Sequence, residues 1–142
     1  CDWSSDVCSS DLLALRVKTY DKILSMGVEL PYGNRPVYVL TRSARADRGN
    51  IHFYQGDLKE LIKKLQKESG ANLYCDGGAE TIARLMQQDL IDEMVISIIP
   101  VLLGEGIRLF SAPFPEKRLS LLKCQTFEKG LVQMHYTCRP LP

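Results

Sequence analysis

The sequence has little of several features that would assign a function at once. Its 142 residues carry 18 Lys+Arg and 17 Asp+Glu, a net charge of +1, which gives no electrostatic case for nucleic acid or an anionic membrane as the main partner. The longest apolar region, 94–103, is interrupted by Ser97 and Pro100 and is far shorter than the roughly 20 residues that span a bilayer. The sequence also has no repeats or low-complexity tracts, and its length predicts one domain.

Cysteine and histidine are too scattered to predict a metal site. Beyond residue 12 the cysteines are Cys75, Cys124 and Cys138, without CxxC spacing. They are typical of small buried side chains in a reducing compartment, which predicts a cytoplasmic protein. His52 and His135 lie far apart in the sequence. The sequence also contains no nucleophile elbow and no Walker motif.

The first twelve residues differ from the rest of the chain. They read CDWSSDVCSSDL and lack the basic start and apolar run of a signal peptide. They resemble the translated read-through of a sequencing adapter, so we expect 1–12 to be a non-native or disordered tail, with a natural disordered tail as the alternative. We then expect 13–142 to form a single domain that is incomplete at its N-terminus.

The remaining pattern predicts an α/β fold. Apolar residues at helical spacing indicate a helix over 57–68, and the uniformly apolar run 37–40 indicates a strand covered on both faces. Helices alternate with strands, and a hairpin follows. This order predicts a mostly parallel sheet with an antiparallel edge. The other predicted elements are a strand ending at 12–15, a helix over 18–26, strands at 51–54 and 72–75, a helix over 79–90, a strand over 93–103 and a hairpin over 119–139 turning at 128–130.

Three predicted strand ends carry residues suited to a phosphate-rich ligand, which open α/β sheets bind at the carboxyl ends of their strands. In the first, here the Gly-Gly segment, Asp76-Gly77-Gly78 leads into a helix that begins with Ala79, Glu80 and Thr81. Glycines let a phosphate approach the backbone, and the amides and dipole of the first helical turn attract it. Glu80 would compete with that phosphate unless its side chain turns outward. The alternative is a tight strand-to-helix turn without a ligand.

The second strand end, here the arginine turn, consists of Thr41, Arg42 and Ser43. Hydroxyl and guanidinium groups suit the 2′-phosphate of NADP, whereas sites for NAD usually carry an acidic residue. Since no Asp or Glu lies between residues 37 and 46, the pattern favours NADP. The alternative is a solvated basic loop, which is the better interpretation for Arg45 and Arg48.

The third strand end, here the Lys-Thr segment, is Lys18-Thr19 at the start of the first helix. An ammonium and a hydroxyl beside helical amides suit a phosphate. An N-terminal cap with a surface lysine is the simpler alternative for these two residues alone.

Together these motifs resemble a known family. The run DGGAET at 76–81, LIDE at 90–93, IPVLLGEG at 99–106 and LF at 109–110 is similar to the dihydrofolate reductase superfamily. The similarity is greatest to the branch of the RibD C-terminal domain, the reductase domain of bacterial riboflavin biosynthesis. The arginine turn and the sequence KTY at 18–20 are similar to that family's other cofactor segments.

The resemblance implies that 13–142 form a single reductase-like, NADPH-binding domain with a dihydrofolate-reductase-like three-layer α/β/α fold and, usually, a homodimer. It implies NADPH as the cofactor and an activity like that of 5-amino-6-(5-phosphoribosylamino)uracil reductase, which transfers hydride to a small polar heterocyclic or ribose-derived substrate. The implied cofactor-binding residues are Lys18, Thr19, Thr41, Arg42, Ser43, Gly77, Gly78, Ala79, Glu80 and Thr81.

The chain departs from the family pattern at two places. The family usually has Gly-Arg where this sequence has Arg16-Val17, and valine cannot bind a phosphate. The family's first strand and helix, which supply much of the substrate pocket and an acidic residue, have no counterpart, so no catalytic residue is nominated. Dihydrofolate reduction and a non-catalytic dimeric nucleotide-binding module remain the alternatives.

Overall fold

The computed structural model describes residues 12–27, 33–69, 72–76, 78–110, 113 and 116–140. Their contacts divide the chain into two compact units, Cys1–Ile82 and Ala83–Pro142. Residues 1–11 of the expected tail lie outside the described residues, and Leu12 begins the first strand. The strands are β1 (Leu12–Arg16), β2 (Val37–Leu40), β3 (Ile51–Tyr54), β4 (Leu73–Cys75), β5 (Glu93–Ile98), β6 (Ser120–Thr126) and β7 (Val132–Thr137), and the helices are α1 (Val17–Ser25), α2 (Leu58–Ser69) and α3 (Ala79–Gln87).

A four-stranded parallel sheet organises the first unit. The strand order is β3-β2-β1-β4, and all three neighbouring pairs are parallel. The chain runs from β1 outward through β2 to β3 and then crosses to β4 on the other side of β1. The strand order therefore reverses between β1 and β4, the kind of position at which open α/β sheets bind ligands.

Helices cover both faces of this sheet because β2 is apolar on both faces. Val37 and Val39 form one buried cluster with Tyr20 of α1. The alternate residues Tyr38 and Leu40 pack against the buried apolar face of α2, since successive side chains of a strand point to opposite faces. The predicted three-layer α/β/α arrangement is confirmed.

The second unit contains a three-stranded antiparallel sheet with the order β5-β7-β6. The predicted hairpin is formed by β6 and β7, joined by a 3₁₀ turn at Glu128–Gly130. Lys129 adopts a left-handed conformation in that turn, with φ of 62°, and the Phe127 amide donates to the Leu131 carbonyl at 2.8 Å.

The fifth strand differs from its prediction in length and in pairing. It ends at Ile98 rather than at Leu103, because Pro100 cannot donate a ladder hydrogen bond and the Val101 amide instead donates to the Ile99 carbonyl at 2.8 Å. It pairs antiparallel with β7 and therefore lies in the second sheet. Residues 99–110 have no regular secondary structure.

Helix α3 ends at Gln87, three residues before its predicted end, in a motif that reverses the chain. The Asp89 amide donates to the Met86 carbonyl at 3.2 Å and the Leu90 amide to the Leu85 carbonyl at 3.0 Å, the pair of bonds that defines a Schellman motif. Asp89 occupies its left-handed position with φ of 55°. Glycine is usual at this position, but the Asp89 carboxylate has a further role because it pairs with Lys117 and Arg139.

No helix among the described residues is both long and apolar enough to cross a membrane.

Candidate functional site

The fold brings the three candidate segments to one edge of the parallel sheet. Arg16 at the end of β1 is in register with Leu40 at the end of β2, and Cys75 at the end of β4 pairs with Ala14 of β1. The Lys-Thr segment, the arginine turn and the Gly-Gly segment therefore follow three adjacent parallel strands at the same edge. The sequence alone placed each segment at a strand end but did not determine that the strands are neighbours.

The arginine turn is closed by its own threonine. The Thr41 hydroxyl donates to the Ser43 carbonyl at 3.0 Å and accepts from the Ser43 amide at 3.2 Å. Because a hydroxyl has a single hydrogen to donate, Thr41 in this arrangement shapes the turn rather than offering a donor to a ligand. The Arg42 and Ser43 side chains are exposed.

Strand β3 holds the arginine turn in place from the other side. The Thr41 amide donates to the Tyr54 carbonyl at 3.0 Å, which extends the ladder between β2 and β3 by one residue. The Gln55 side-chain amide then donates to the Arg42 carbonyl at 2.6 Å. Gln55 was not among the residues predicted from the sequence. The sequence did carry one indication of its role, because Gln55 directly follows a predicted strand, as the three candidate segments do.

In the Gly-Gly segment, Gly78 provides the cap of α3. Its carbonyl accepts from the Thr81 amide at 2.9 Å and from the Ile82 amide at 3.2 Å. The backbone amide of Thr81 is therefore already hydrogen-bonded within the helix. The Thr81 side chain is buried, with 3% of the residue exposed. Ala79 and Glu80 lie in the first helical turn as predicted, and Gly77 lies outside the described residues.

Neither conformation nor packing within the described chain requires a glycine at position 78. Gly78 is not among the residues with positive φ, and a Cβ built there meets no atom within 4 Å. The space that a side chain would fill thus opens at the cap of α3, where helix amides attract anions. This observation fits a phosphate that approaches the backbone closely.

An ion pair connects the arginine turn with the Gly-Gly segment. A terminal nitrogen of Arg42 lies 3.5 Å from a carboxylate oxygen of Glu80, with 82% and 41% of the two side chains exposed. Because both side chains face solvent, the pair contributes little to folding stability. Its significance is geometric, since it shows that the Arg42 guanidinium reaches the first turn of α3.

The Lys-Thr segment lies in the first turn of α1, which begins at Val17. Lys18 is exposed and Thr19 is half-buried. Val17 packs against the cluster of Tyr20, Val37 and Val39, so its side chain contributes to the core. The departure from the family pattern at this position therefore replaces a polar group with a packing contact.

The loop after the arginine turn contains a second cationic group with a partner. Arg45 donates two hydrogen bonds to Asp21, at 2.7 and 2.9 Å, and lies 5.7 Å from the centroid of the Phe53 ring. The hydrogen bonds from Arg45 hold the pKa of the Asp21 carboxyl below its usual range. These groups line a cleft of about 350 Å³. Arg45 is therefore engaged with α1 rather than simply solvated, and its neighbour Arg48 is exposed.

Each histidine has a carboxylate neighbour that was not predicted from the sequence. The His52 Nδ1 lies 2.8 Å from Asp47, and the His135 Nε2 lies 2.8 Å from Glu93. The hydrogen bond with His52 lowers the pKa of Asp47. Within the described part of the chain, no three His, Cys, Asp or Glu side chains are grouped so that they could hold a metal ion.

The framework is thus an α/β sheet with helices on both faces and polar segments at the carboxyl ends of its adjacent strands. The family model of the RibD C-terminal domain matches residues 25–133. The chain belongs to this family.

Known proteins support the same assignment. The uncharacterized protein YwjB of Bacillus subtilis (strain 168) is 33% identical over 127 residues, which cover 89% of this chain and 72% of YwjB. A crystal structure from Shewanella sp. PV-4, described as a candidate riboflavin biosynthesis protein, is 31% identical with a TM-score of 0.84, covering 95% of this chain and 77% of that chain.

A more distant structure shows the same fold. RibD of Acinetobacter baumannii is 18% identical with a TM-score of 0.68 over 90% of this chain. The match covers 47% of RibD, so this chain spans about half the length of that protein. The predicted riboflavin-biosynthesis reductase-like fold is confirmed by these comparisons.

Proposed function

We propose that the protein binds NADPH at the carboxyl edge of its parallel sheet and is a reductase of a small polar heterocyclic or ribose-derived substrate. The activity would resemble that of 5-amino-6-(5-phosphoribosylamino)uracil reductase. The observation that carries the proposal is the convergence of the three phosphate-suited segments at the edge where the strand order reverses. The family assignment supports the reductase chemistry.

The residues at this edge fit the 2′-phosphate and the pyrophosphate of such a cofactor. Arg42 and Ser43 would hold the 2′-phosphate, because both side chains are exposed at the same turn and a guanidinium binds phosphate through paired hydrogen bonds. Gly78 and the first turn of α3 would hold the pyrophosphate, since the space beside Gly78 is open. Lys18 and Thr19 would contribute from the first turn of α1.

The cofactor and the protein would supply different parts of the reduction. When bound, NADPH supplies the hydride, and the protein supplies binding, orientation and electrostatics. The residues of this edge would fix the phosphate end of the cofactor. The guanidinium and hydroxyl of the arginine turn, with no Asp or Glu between residues 37 and 46, favour NADPH over NADH. Thr41 would act through the turn that it closes.

A non-catalytic nucleotide-binding module is the alternative that one observation favours. Val17 packs into the core at a position where the resemblance implies a cofactor contact. A protein of this kind would bind NADPH without oxidising it in the presence of any pterin or ribosylaminopyrimidine.

We also propose that the protein acts as a homodimer, as the resemblance implies, and in the cytoplasm, as its cysteine usage predicts. Seven large apolar side chains are exposed in the segment 99–110: Ile99, Val101, Leu102, Leu103, Ile107, Leu109 and Phe110. Exposed apolar patches mark interaction sites, and a second copy is the partner that we propose. Light scattering after size exclusion should give the mass of a dimer, and Leu102→Asp should lower it to that of a monomer, whereas Met26→Asp should not.

Titration with NADPH and NADH tests the function. The nicotinamide fluorescence should change with saturable NADPH binding, and NADH should bind at least tenfold more weakly because it lacks the 2′-phosphate. Absence of NADPH binding, or equal affinity for both, would contradict the proposal. Loss of absorbance at 340 nm with a ribosylaminopyrimidine, but not with dihydrofolate, would identify the substrate class.

A further inference from the structure

We infer that Gln55 is a positioning residue for Arg42 and thereby sets the preference for NADPH over NADH. This inference rests on the proposed function. Gln55 donates a hydrogen bond to the backbone carbonyl of Arg42, the residue whose side chain would hold the 2′-phosphate.

The Arg42–Ser43 peptide is held by two side chains. The bond from the Thr41 amide to the Tyr54 carbonyl continues the ladder between β2 and β3, and the Arg42 carbonyl lies one residue further along the turn. The Gln55 side-chain amide donates to this carbonyl at 2.6 Å, and the amide of the same peptide donates to the Thr41 hydroxyl at 3.2 Å. Gln55 thus ties this peptide to the residue that follows β3, whereas the contact with Thr41 lies within the turn itself.

Glu80 contacts the other end of the same residue. Its carboxylate lies 3.5 Å from the guanidinium, so Gln55 contacts the backbone of Arg42 and Glu80 its exposed side chain. The two contacts would respond differently to a bound phosphate. A phosphate would replace the carboxylate as the partner of the guanidinium, whereas the bond from Gln55 to the carbonyl would persist in the complex.

Because the Gln55 contact is present both before and after binding, it should raise the affinity for NADPH. Restraining a binding group in its bound position lowers the entropy that is lost on binding. A neutral hydrogen bond of this kind contributes enough to change affinity by about 3- to 10-fold. The effect should appear only for a ligand that engages Arg42, and therefore for NADPH but not for NADH.

The test uses Gln55→Met in the full chain, because methionine keeps the length of the side chain and removes the donor. Gln66→Met on the exposed face of α2 is the matched control. Dissociation constants for NADPH and NADH are measured for each protein, and amide hydrogen exchange of the segment 41–45 is measured without ligand. We expect Gln55→Met to weaken NADPH binding about 3- to 10-fold, to leave NADH binding unchanged and to speed exchange in that segment.

The outcomes separate the two proposals. Faster exchange together with a reduced preference for NADPH supports the positioning role. An unchanged ratio of the two dissociation constants in Gln55→Met, with wild type preferring NADPH, overturns the role of Gln55 and leaves the proposed function standing. Equal losses for both cofactors overturn it too, since a purely structural role would have that effect. A wild-type protein that binds neither cofactor overturns the proposed function and the selectivity role together.

Discussion

The Arg42 guanidinium lies 3.5 Å from the Glu80 carboxylate, which connects the turn after β2 with the first turn of α3. Glu80 lies where a pyrophosphate would approach the helix, and its negative charge would oppose that ligand. In the structure this charge is directed toward Arg42. Before a phosphate binds Arg42, the pair therefore offsets the negative charge of Glu80 at this helix, and it brings the Arg42 cation to the first turn of α3.

Replacing Arg42 with alanine should weaken NADPH binding about 10- to 100-fold, because the hydrogen bonds of a guanidinium to a phosphate are charge-assisted. NADH binding should change by less than about twofold, since NADH has no phosphate for this side chain to bind. Isothermal titration with both cofactors measures the two effects. Arg48→Ala removes another exposed arginine from the same loop and should leave both affinities unchanged. Equal losses of NADPH and NADH affinity in Arg42→Ala would refute the assignment.

Gly78→Ala should weaken NADPH binding while changing the free energy of unfolding only slightly. The added Cβ meets no atom of the described chain within 4 Å, so the free energy of unfolding should change by no more than about 1 kcal/mol, as expected for such a change at a helix cap. NADPH affinity should fall at least about tenfold because the methyl group fills the space left for the phosphate. Thermal unfolding and cofactor titration of the same sample provide both values. A variant with unchanged affinity would show that the glycine serves the turn alone.

Leu61→Ala should destabilise the first unit by about 2–5 kcal/mol, the usual cost of removing a buried leucine side chain. Leu61 is 3% exposed and packs with Leu65 in the cluster beneath α2. Urea unfolding followed by circular dichroism gives the free energy. Met26→Ala, at a residue that is 65% exposed, is the control and should cost less than about 0.5 kcal/mol. Similar midpoints for the two variants would contradict the packing of α2 on the sheet.

Asp89→Asn should lower stability in a way that depends on pH. The hydrogen bond from Lys117 lowers the pKa of Asp89 from its ordinary value of 3.8, so the charged form is favoured in the folded state. The stabilisation is therefore present above pH 3.8 and is lost as the pH falls through the lowered pKa. Asparagine tolerates the left-handed conformation at this position, so the substitution removes mainly the charge.

Melting temperatures across a pH series test this prediction. The wild-type protein should melt above Asp89→Asn at pH 7, and the two curves should converge in acid. Lys117→Met should lower the melting temperature less in the Asp89→Asn background than in wild type, because the partner charge is already gone. A difference that stays constant with pH would show that the effect of Asp89 is conformational.

The sequence by itself determined the elements and the chemistry at their ends. Helical spacing of apolar residues located α2, uniform apolarity located β2, and the turn at 128–130 located the hairpin of β6 and β7. These features arise from contacts with near neighbours in the chain or from which faces are buried, so they can be found from residue order. The candidate segments were found for the same reason, since each comes directly after a strand.

Only the tertiary structure decided which strand ends are neighbours and which side chains meet there. The order β3-β2-β1-β4 brings Arg42 to Glu80 and Gln55 to the Arg42 carbonyl, and it places β5 in a separate antiparallel sheet. The pairing of Asp89 with Lys117 and Arg139 was likewise invisible in the sequence. Each of these contacts joins residues far apart in the chain, and their proximity depends on how the helices bury their apolar faces against the sheet rather than on any local preference.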